Sequence, residues 1–181
     1  MRSSHILRKT LPAWCAVSLL LVFFQGTSQS KYENIKIDEQ EGIFTYPPCE
    51  PSIVVNPKDP QNIIGGAILD KVYISEDGGH TWNVDKLESR FGVFGDPALV
   101  ANKKGDIYFL HLSDPSGLGW AHPSILDRIV CQRSKDKGDN WSKGASIGLN
   151  GEKDQDKEWA ACDPQSCAIY TSWTQFDKYD S

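Results

Sequence analysis

Three carboxylates, Glu50, Asp96 and Glu158, each open a similar segment of the chain. Segments 50–55 and 96–101 both begin with an acid and a proline and continue with small and apolar residues, and Glu158 begins a comparable stretch. Acids gathered around one axis can serve as general acid or base on a glycosidic bond, or can bind a cation. The alternative is that each acid caps its strand or pairs with a lysine, because a feature shared by every repeat is usually architectural. The three acids are therefore candidate catalytic residues, with the architectural role as the alternative.

Aromatic side chains near these acids are candidates for binding a sugar ring. Trp159 ends the densest polar run of the chain, at 154–159, where a tryptophan can stack on a sugar while acids bind its hydroxyls. Trp120 and His122 lie in segment 113–127, which is longer than its counterpart in the preceding unit. Insertions in repeats often lie on the binding face. The alternative for the polar run is a solvated loop with Trp159 packed between sheets.

The elements that position these residues are marked by a motif that occurs twice, Ser-x-Asp-x-Gly-x-x-Trp. A recurring pattern of four fixed residue types indicates an internal repeat. The first copy is formed by Ser75, Asp77, Gly79 and Trp82, and the second by Ser134, Asp136, Gly138 and Trp141.

Each copy is typical of a β-hairpin turn. Short apolar runs at 72–74 and 129–131 lead into the two copies. The aspartate and serine side chains can accept hydrogen bonds from the amides of the turn, and the glycine can adopt positive φ. The tryptophan then begins the returning strand and packs over the hairpin. We therefore expect the motif residues to hold the fold together without doing chemistry.

The motif resembles the Asp-box, or bacterial neuraminidase repeat, of the sialidase-like β-propeller families. The resemblance implies an all-β fold built from four-stranded antiparallel blades. The blades then fall at about 45–90, 91–150 and 151–181, with the last one partial, so that 31–181 forms an incomplete propeller of about two and a half blades. Propellers close with at least ~4 blades. We therefore expect either the N-terminal fragment of a larger propeller or a chain that completes the ring by self-association.

The resemblance does not extend to a sialidase active site. Family members that cleave sialic acid hold its carboxylate with three arginines, and they use an aspartate acid/base and a tyrosine nucleophile paired with a glutamate. The first of those arginines belongs to an Arg-Ile-Pro type motif ahead of the first Asp-box, where this chain reads Tyr-Pro-Pro-Cys-Glu-Pro at 46–51. After residue 30 the only arginines are Arg90, Arg128 and Arg133, and none lies in a recognisable motif. No catalytic residue of the family maps onto this chain.

Residues 1–30 predict a signal peptide. A basic start precedes an apolar run at 11–24, which is too short to span a bilayer, and small residues follow at 26–30. The alternative is an uncleaved membrane anchor. We expect a secreted, periplasmic or cell-surface protein that has no membrane association once the signal is removed.

The charge balance narrows the choice of partners. Arg2, Arg8 and Lys9 are the only formally charged residues of the signal, so its removal changes the net charge of the chain from −5 to −8. An acidic exported chain is a poor partner for nucleic acid or for an anionic membrane. A carbohydrate or glycoprotein ligand is the expected partner.

Four cysteines remain after the signal, and export permits disulfides. Cys162 and Cys167 flank a short turn at 163–166, so we expect them to be bridged, with two buried free thiols as the alternative. The sequence does not pair Cys49 or Cys131. We expect no cofactor and no metal site, because no second cysteine pair or histidine pair lies at ligand spacing.

The sequence therefore favours an exported, glycan-directed Asp-box propeller that is related to glycoside hydrolases by similarity. The residues present do not support exo-sialidase activity. The alternative is a non-catalytic propeller module that binds glycan or protein, and the absent arginine favours binding over sialidase chemistry. Whether the chain is an enzyme stays open at this point.

Overall fold

The computed structural model describes residues 33–39, 42 and 46–178, and these form three antiparallel β-sheets. The all-β prediction is therefore confirmed. The predicted signal peptide at 1–30 lies outside the described residues. Every strand belongs to a compact unit that begins at Ile35, and only residues 33 and 34 are described of the unit before it.

Each sheet is a meander in which consecutive strands are neighbours. The first sheet contains β1 (Ser52–Val55), β2 (Ile63–Ala67), β3 (Lys71–Ser75) and β4 (Asn83–Lys86). The second contains β5 (Ala98–Ala101), β6 (Ile107–Leu112), β7 (Ile129–Ser134) and β8 (Ala145–Ile147). The third contains β9 (Lys153–Cys162) and β10 (Ile169–Asp177). The strands are rich in β-branched and aromatic residues, and the links between them carry Asn, Asp, Gly and Pro.

The core lies between successive sheets. The first strands follow one another in space, because β1 packs beside β5 and β5 packs beside β9. One buried cluster joins the first and second sheets and consists of Ile64, Val72, Ile74, Leu87, Leu99, Ile107 and Phe109. A second cluster joins the second and third sheets and consists of Ala98, Leu110, Leu112, Ile125, Leu126, Ile129 and Ala160. The second sheet is therefore buried on both of its faces.

The third sheet departs from the predicted repeat in two ways. Its first strand starts at Lys153, ahead of the predicted start at Glu158, and that strand contains one extra residue. Ser172 pairs with Trp159 and Thr174 pairs with Asp156, so two residues of β9 stand opposite one residue of β10. This is a β-bulge, which re-aims the side chains beside it.

The two turns that carry the Ser-x-Asp-x-Gly-x-x-Trp motif, 75–82 and 134–141, lie in different sheets and connect β3 to β4 and β7 to β8. In the first turn the Ser75 hydroxyl accepts a hydrogen bond from the Gly79 amide at 2.8 Å. The Asp77 carboxylate accepts bonds from the Thr81 amide at 2.9 Å and the Thr81 hydroxyl at 2.6 Å. The indole of Trp82 donates to the Gly79 carbonyl at 2.9 Å. The turn therefore closes through hydrogen bonds made within the motif.

The second motif turn, at 134–141, also contacts the first sheet. Asn62 donates from Nδ2 to the Lys137 carbonyl at 3.1 Å, and the Lys137 ammonium pairs with Asp59 at 2.6 Å. A Cβ added to Gly138 would lie 2.7 Å from Ile64 Cδ1, and the φ of Gly138 is 101°. The turn of the second sheet is thus fitted against the sheet before it, and only glycine fits at its centre.

We expect Asp136→Ala to lower the melting temperature by about 5 °C. The Asp136 carboxylate accepts bonds from the Ser134 hydroxyl at 2.8 Å and from the Asn140 amide at 3.0 Å, so the alanine leaves the turn without its central acceptor. Thermal unfolding followed by circular dichroism measures the change. The exposed neighbour Lys135 makes no hydrogen bond in the turn, so Lys135→Ala is the control. An equal loss in both variants would contradict the role of the carboxylate.

The described cysteines are free thiols, in contrast to the predicted bridge between Cys162 and Cys167. The strand register gives the reason, because Cys162 stands opposite Ile169. Cys167 lies within the turn, with φ of 63° and its amide bonded to the Asp163 carbonyl at 3.0 Å. Burial raises the pKa of Cys131 to about 11, which keeps that thiol protonated and unreactive.

The long segment after β6 is held against the loop at 91–95. The Asp114 amide donates to the Phe91 carbonyl at 3.0 Å, and the Asp114 carboxylate accepts from the Gly119 amide at 2.9 Å. Gly92 has φ of 68°, and a Cβ there would overlap the backbone carbonyl of Asp114. Backbone thus meets backbone at Gly92, which leaves no space for a side chain.

Candidate functional site

Left-handed backbone precedes the first strand of the first two sheets and recurs inside β9. Glu50 and Asp96, two residues before β1 and β5, have φ of 52° and 49°. In β9 the residue with this conformation is Lys157, with φ of 54°, at the bulge. Non-glycine residues held in this region store strain, and such residues concentrate at functional sites.

Lys157 joins the two acids. Its ammonium donates to Glu50 Oε1 at 3.4 Å and forms an ion pair with the Asp96 carboxylate. One lysine from the third sheet thus holds the carboxylates that precede the first and second sheets. Lys157 belongs to no motif, and the alternation of acid, lysine and acid at 156–158 is the one signal in the sequence that points to it.

The pKa values of the two bridged acids are shifted in opposite directions. A hydrogen bond from Asp96 lowers the pKa of Glu50, and the Lys157 charge lowers it further. Burial raises the pKa of Asp96, and the hydrogen bond with Glu50 adds to this effect. The hydrogen bond to Asp96 raises the pKa of Lys157, so this amine stays charged. Glu50 is therefore the acid of the pair that ionises first.

Glu158 does not occupy the position predicted for it. The bulge places Lys157, not Glu158, in the left-handed position, and Glu158 turns inward with only 5% of its surface exposed. Neither carboxylate oxygen of Glu158 has a hydrogen-bond partner among the described residues. Burial raises the pKa of Glu158 to about 8, so the group is neutral at pH 7.

Trp159 stands beside this cluster with 70% of its surface exposed. A cavity of about 320 Å³ lies between the leads into β1 and β5 and the bulge of β9, and it brings together the three predicted acids and one predicted tryptophan. Its lining consists of Glu50, Pro51, Asp96, Pro97, Lys157, Glu158 and Trp159. We call it the acidic cavity. It offers an aromatic face, charged groups and a neutral buried acid within one open depression.

Trp120 and His122 do not line the acidic cavity. Trp120 is 58% exposed and contacts the ring of Phe94 edge to face, with centroids 5.5 Å apart. Nδ1 of His122 lies 2.7 Å from the Ser124 hydroxyl and accepts a bond from the Ser124 amide at 3.2 Å. The His122 side chain thus stabilises the local turn at 122–124. Trp120 and His122 form no common site with Glu50, Asp96 and Glu158.

The arginines of the described chain are used elsewhere. Arg128 pairs with Asp127 and Arg133 with Asp106, both at 2.5 Å, and Arg90 lies 3.5 Å from the Gly144 carbonyl. The acidic cavity has no arginine in its lining. The described residues also contain no cluster of three histidine, cysteine or acidic side chains able to hold a metal ion.

The fold and site together define an all-β chain with an acidic, aromatic-edged cavity between the leads into β1 and β5 and the bulge of β9. No family model, curated protein or solved structure matches the chain. Within the described residues, no helix has the length and apolar character needed to cross a membrane.

Proposed function

We propose that this chain is an exported, sialidase-like Asp-box propeller module that binds saccharide at the acidic cavity. The propeller is supported by consecutive meanders whose first strands lie side by side and by two turns of one pattern in successive sheets. Export is supported by the basic and apolar pattern of residues 1–30.

The observation that carries the proposed binding is the position of Trp159. Burying an indole normally stabilises a fold, and here the ring stands exposed beside charged groups. A sugar ring offers an apolar face to such an indole and hydroxyls to the carboxylates of Glu50 and Asp96. A binding site needs an aromatic surface and a few converging polar groups, and the acidic cavity contains both.

We expect Trp159→Ala to weaken saccharide binding by at least about tenfold. The ligand panel is an array of neutral, amino and sialylated oligosaccharides, and isothermal titration calorimetry measures affinity for those that bind. Trp120→Ala removes another exposed tryptophan, which lies outside the cavity, and serves as the matched control. Loss of binding in Trp120→Ala alone would place the site on segment 113–127 and contradict the proposal.

A second candidate function is hydrolysis of a glycoside. It is favoured by the contrast between Glu158, whose pKa is raised to about 8, and Glu50, whose pKa is lowered. A neutral acid and an ionised acid in one cavity are the pair that glycosidases use. Fluorogenic glycosides test this function. Turnover of a neutral glycoside that disappears in Glu50→Gln would support it, and binding without turnover would leave the binding function.

A further inference from the structure

The acidic cavity is poor in cationic groups for an acidic sugar. Among the described residues that line it, Glu50, Asp96 and Glu158 contribute three carboxyl groups, Lys157 is the one cation, and there is no arginine. The Lys157 ammonium already bonds to both Glu50 and Asp96. The cavity therefore accommodates a primary ammonium between its acids and has no free cation for a ligand carboxylate.

Glu158 is the group that the protein leaves without a partner. Both of its oxygens are buried and unbonded, although a buried carboxyl normally finds hydrogen-bond partners. It lines the same cavity as Trp159, its neighbour in β9. Such a group costs stability, and a ligand that supplies the missing donor recovers that loss.

We propose that the acidic cavity selects a saccharide bearing a primary amine, with its ammonium paired to Glu158 and its ring stacked on Trp159. This inference rests on the proposed saccharide binding and names its ligand class. An ammonium fits the site because it supplies three donors to a carboxylate and is attracted to an indole face.

Binding changes the protonation of Glu158. The charged groups that act on it are Asp96, from the lead into β5, and Asp156 and Lys157, from its own strand. In the free protein, burial and the negative charges of Asp96 and Asp156 favour the neutral form of Glu158. When the ligand ammonium arrives, Glu158 transfers its proton to solvent and becomes the carboxylate of the ion pair. Binding at pH 6.5 is therefore expected to release up to one proton.

The test compares a glucosamine tetrasaccharide with its N-acetylated counterpart, which has the same ring and no positive charge. We expect the amine to bind at least about tenfold more tightly at pH 6.5. Calorimetry in two buffers of different ionisation enthalpy is expected to show proton release for the amine alone. In Glu158→Gln both the preference and the proton release are expected to disappear. Glu76→Gln removes an exposed charge outside the cavity and is expected to keep both.

The outcomes separate this inference from the proposed function. Equal affinity for the two tetrasaccharides, with Trp159→Ala weakening both, overturns the amine preference and leaves saccharide binding in place. Tighter binding of a sialylated ligand than of the amine also overturns the preference. An amine preference that Glu158→Gln retains overturns the role of Glu158. Absence of binding to any saccharide overturns the inference and the proposed function together.

Discussion

Gly92→Ala is expected to lower the free energy of unfolding by at least about 3 kcal/mol. The added Cβ would overlap the backbone carbonyl of Asp114, which no side-chain rotation relieves. The φ of 68° at Gly92 adds the strain of a left-handed conformation. Moving the Asp114 carbonyl also disturbs the hydrogen bond that the Asp114 amide donates to the Phe91 carbonyl. That hydrogen bond holds the loop at 91–95 against the segment after β6.

Gly117→Ala is the matched control for this substitution. Gly117 has nearly the same φ, 69°, but a Cβ there meets no atom within 4 Å. Its expected cost is therefore the backbone strain alone, about 1 kcal/mol. Urea unfolding measures both variants. Equal losses in the two variants would show that left-handed strain, and not the contact with Asp114, makes glycine necessary at position 92.

The largest expected pH effect comes from Glu158. Its carboxyl ionises near pH 4.5 in the unfolded chain and at about 8 in the folded one. Between these values the folded state holds a proton that the unfolded state has released, so stability falls as pH rises. The contribution is complete below pH 4.5 and is lost as pH rises through 8. We expect a loss of roughly 2–4 kcal/mol across this range.

Glu158→Gln separates this contribution from the others. A glutamine stays neutral at every pH, so the variant is expected to gain stability over the parent chain between pH 5 and pH 9. His111 has the opposite effect on the pH dependence of stability. Burial lowers its pKa to about 4, so between pH 4 and 6.5 the unfolded state binds a proton that the folded state does not, and stability rises with pH. The difference between parent and variant cancels the His111 effect. Parallel stability curves for the two proteins would contradict the buried, neutral state of Glu158.

Much of the fold was predictable because its signals are local. The β-branched runs, the Asn-Pro and Asp-Gly turns and the two Ser-x-Asp-x-Gly-x-x-Trp turns each depend on neighbouring residues, and they lead to the two four-stranded sheets. The positions of Glu50 and Asp96 ahead of their strands could also be predicted, because each acid precedes a proline and a short apolar run. The radial arrangement of the sheets stays a prediction.

The candidate site was less predictable because it depends on one extra residue. Alignment of Glu158 with Glu50 and Asp96 assumed a regular strand, and a bulge in β9 leaves no clear mark in the sequence. That bulge exchanges the roles of Lys157 and Glu158, so the lysine reaches the acids and the glutamate is buried. The bridge between Cys162 and Cys167 failed for a related reason, since strand register depends on pairing that the spacing of the two cysteines does not determine.

The contact of Lys137 with Asp59 and Asn62 bears on how such a chain is assembled from units. One side of this joint belongs to the second repeat and the other side to the first. A repeat that is excised or transplanted by itself therefore carries only one side of this contact, and the polar groups of the other side lose their partners. Duplication or shuffling of units preserves the fold only when the boundary is cut so that both halves travel with matching neighbours.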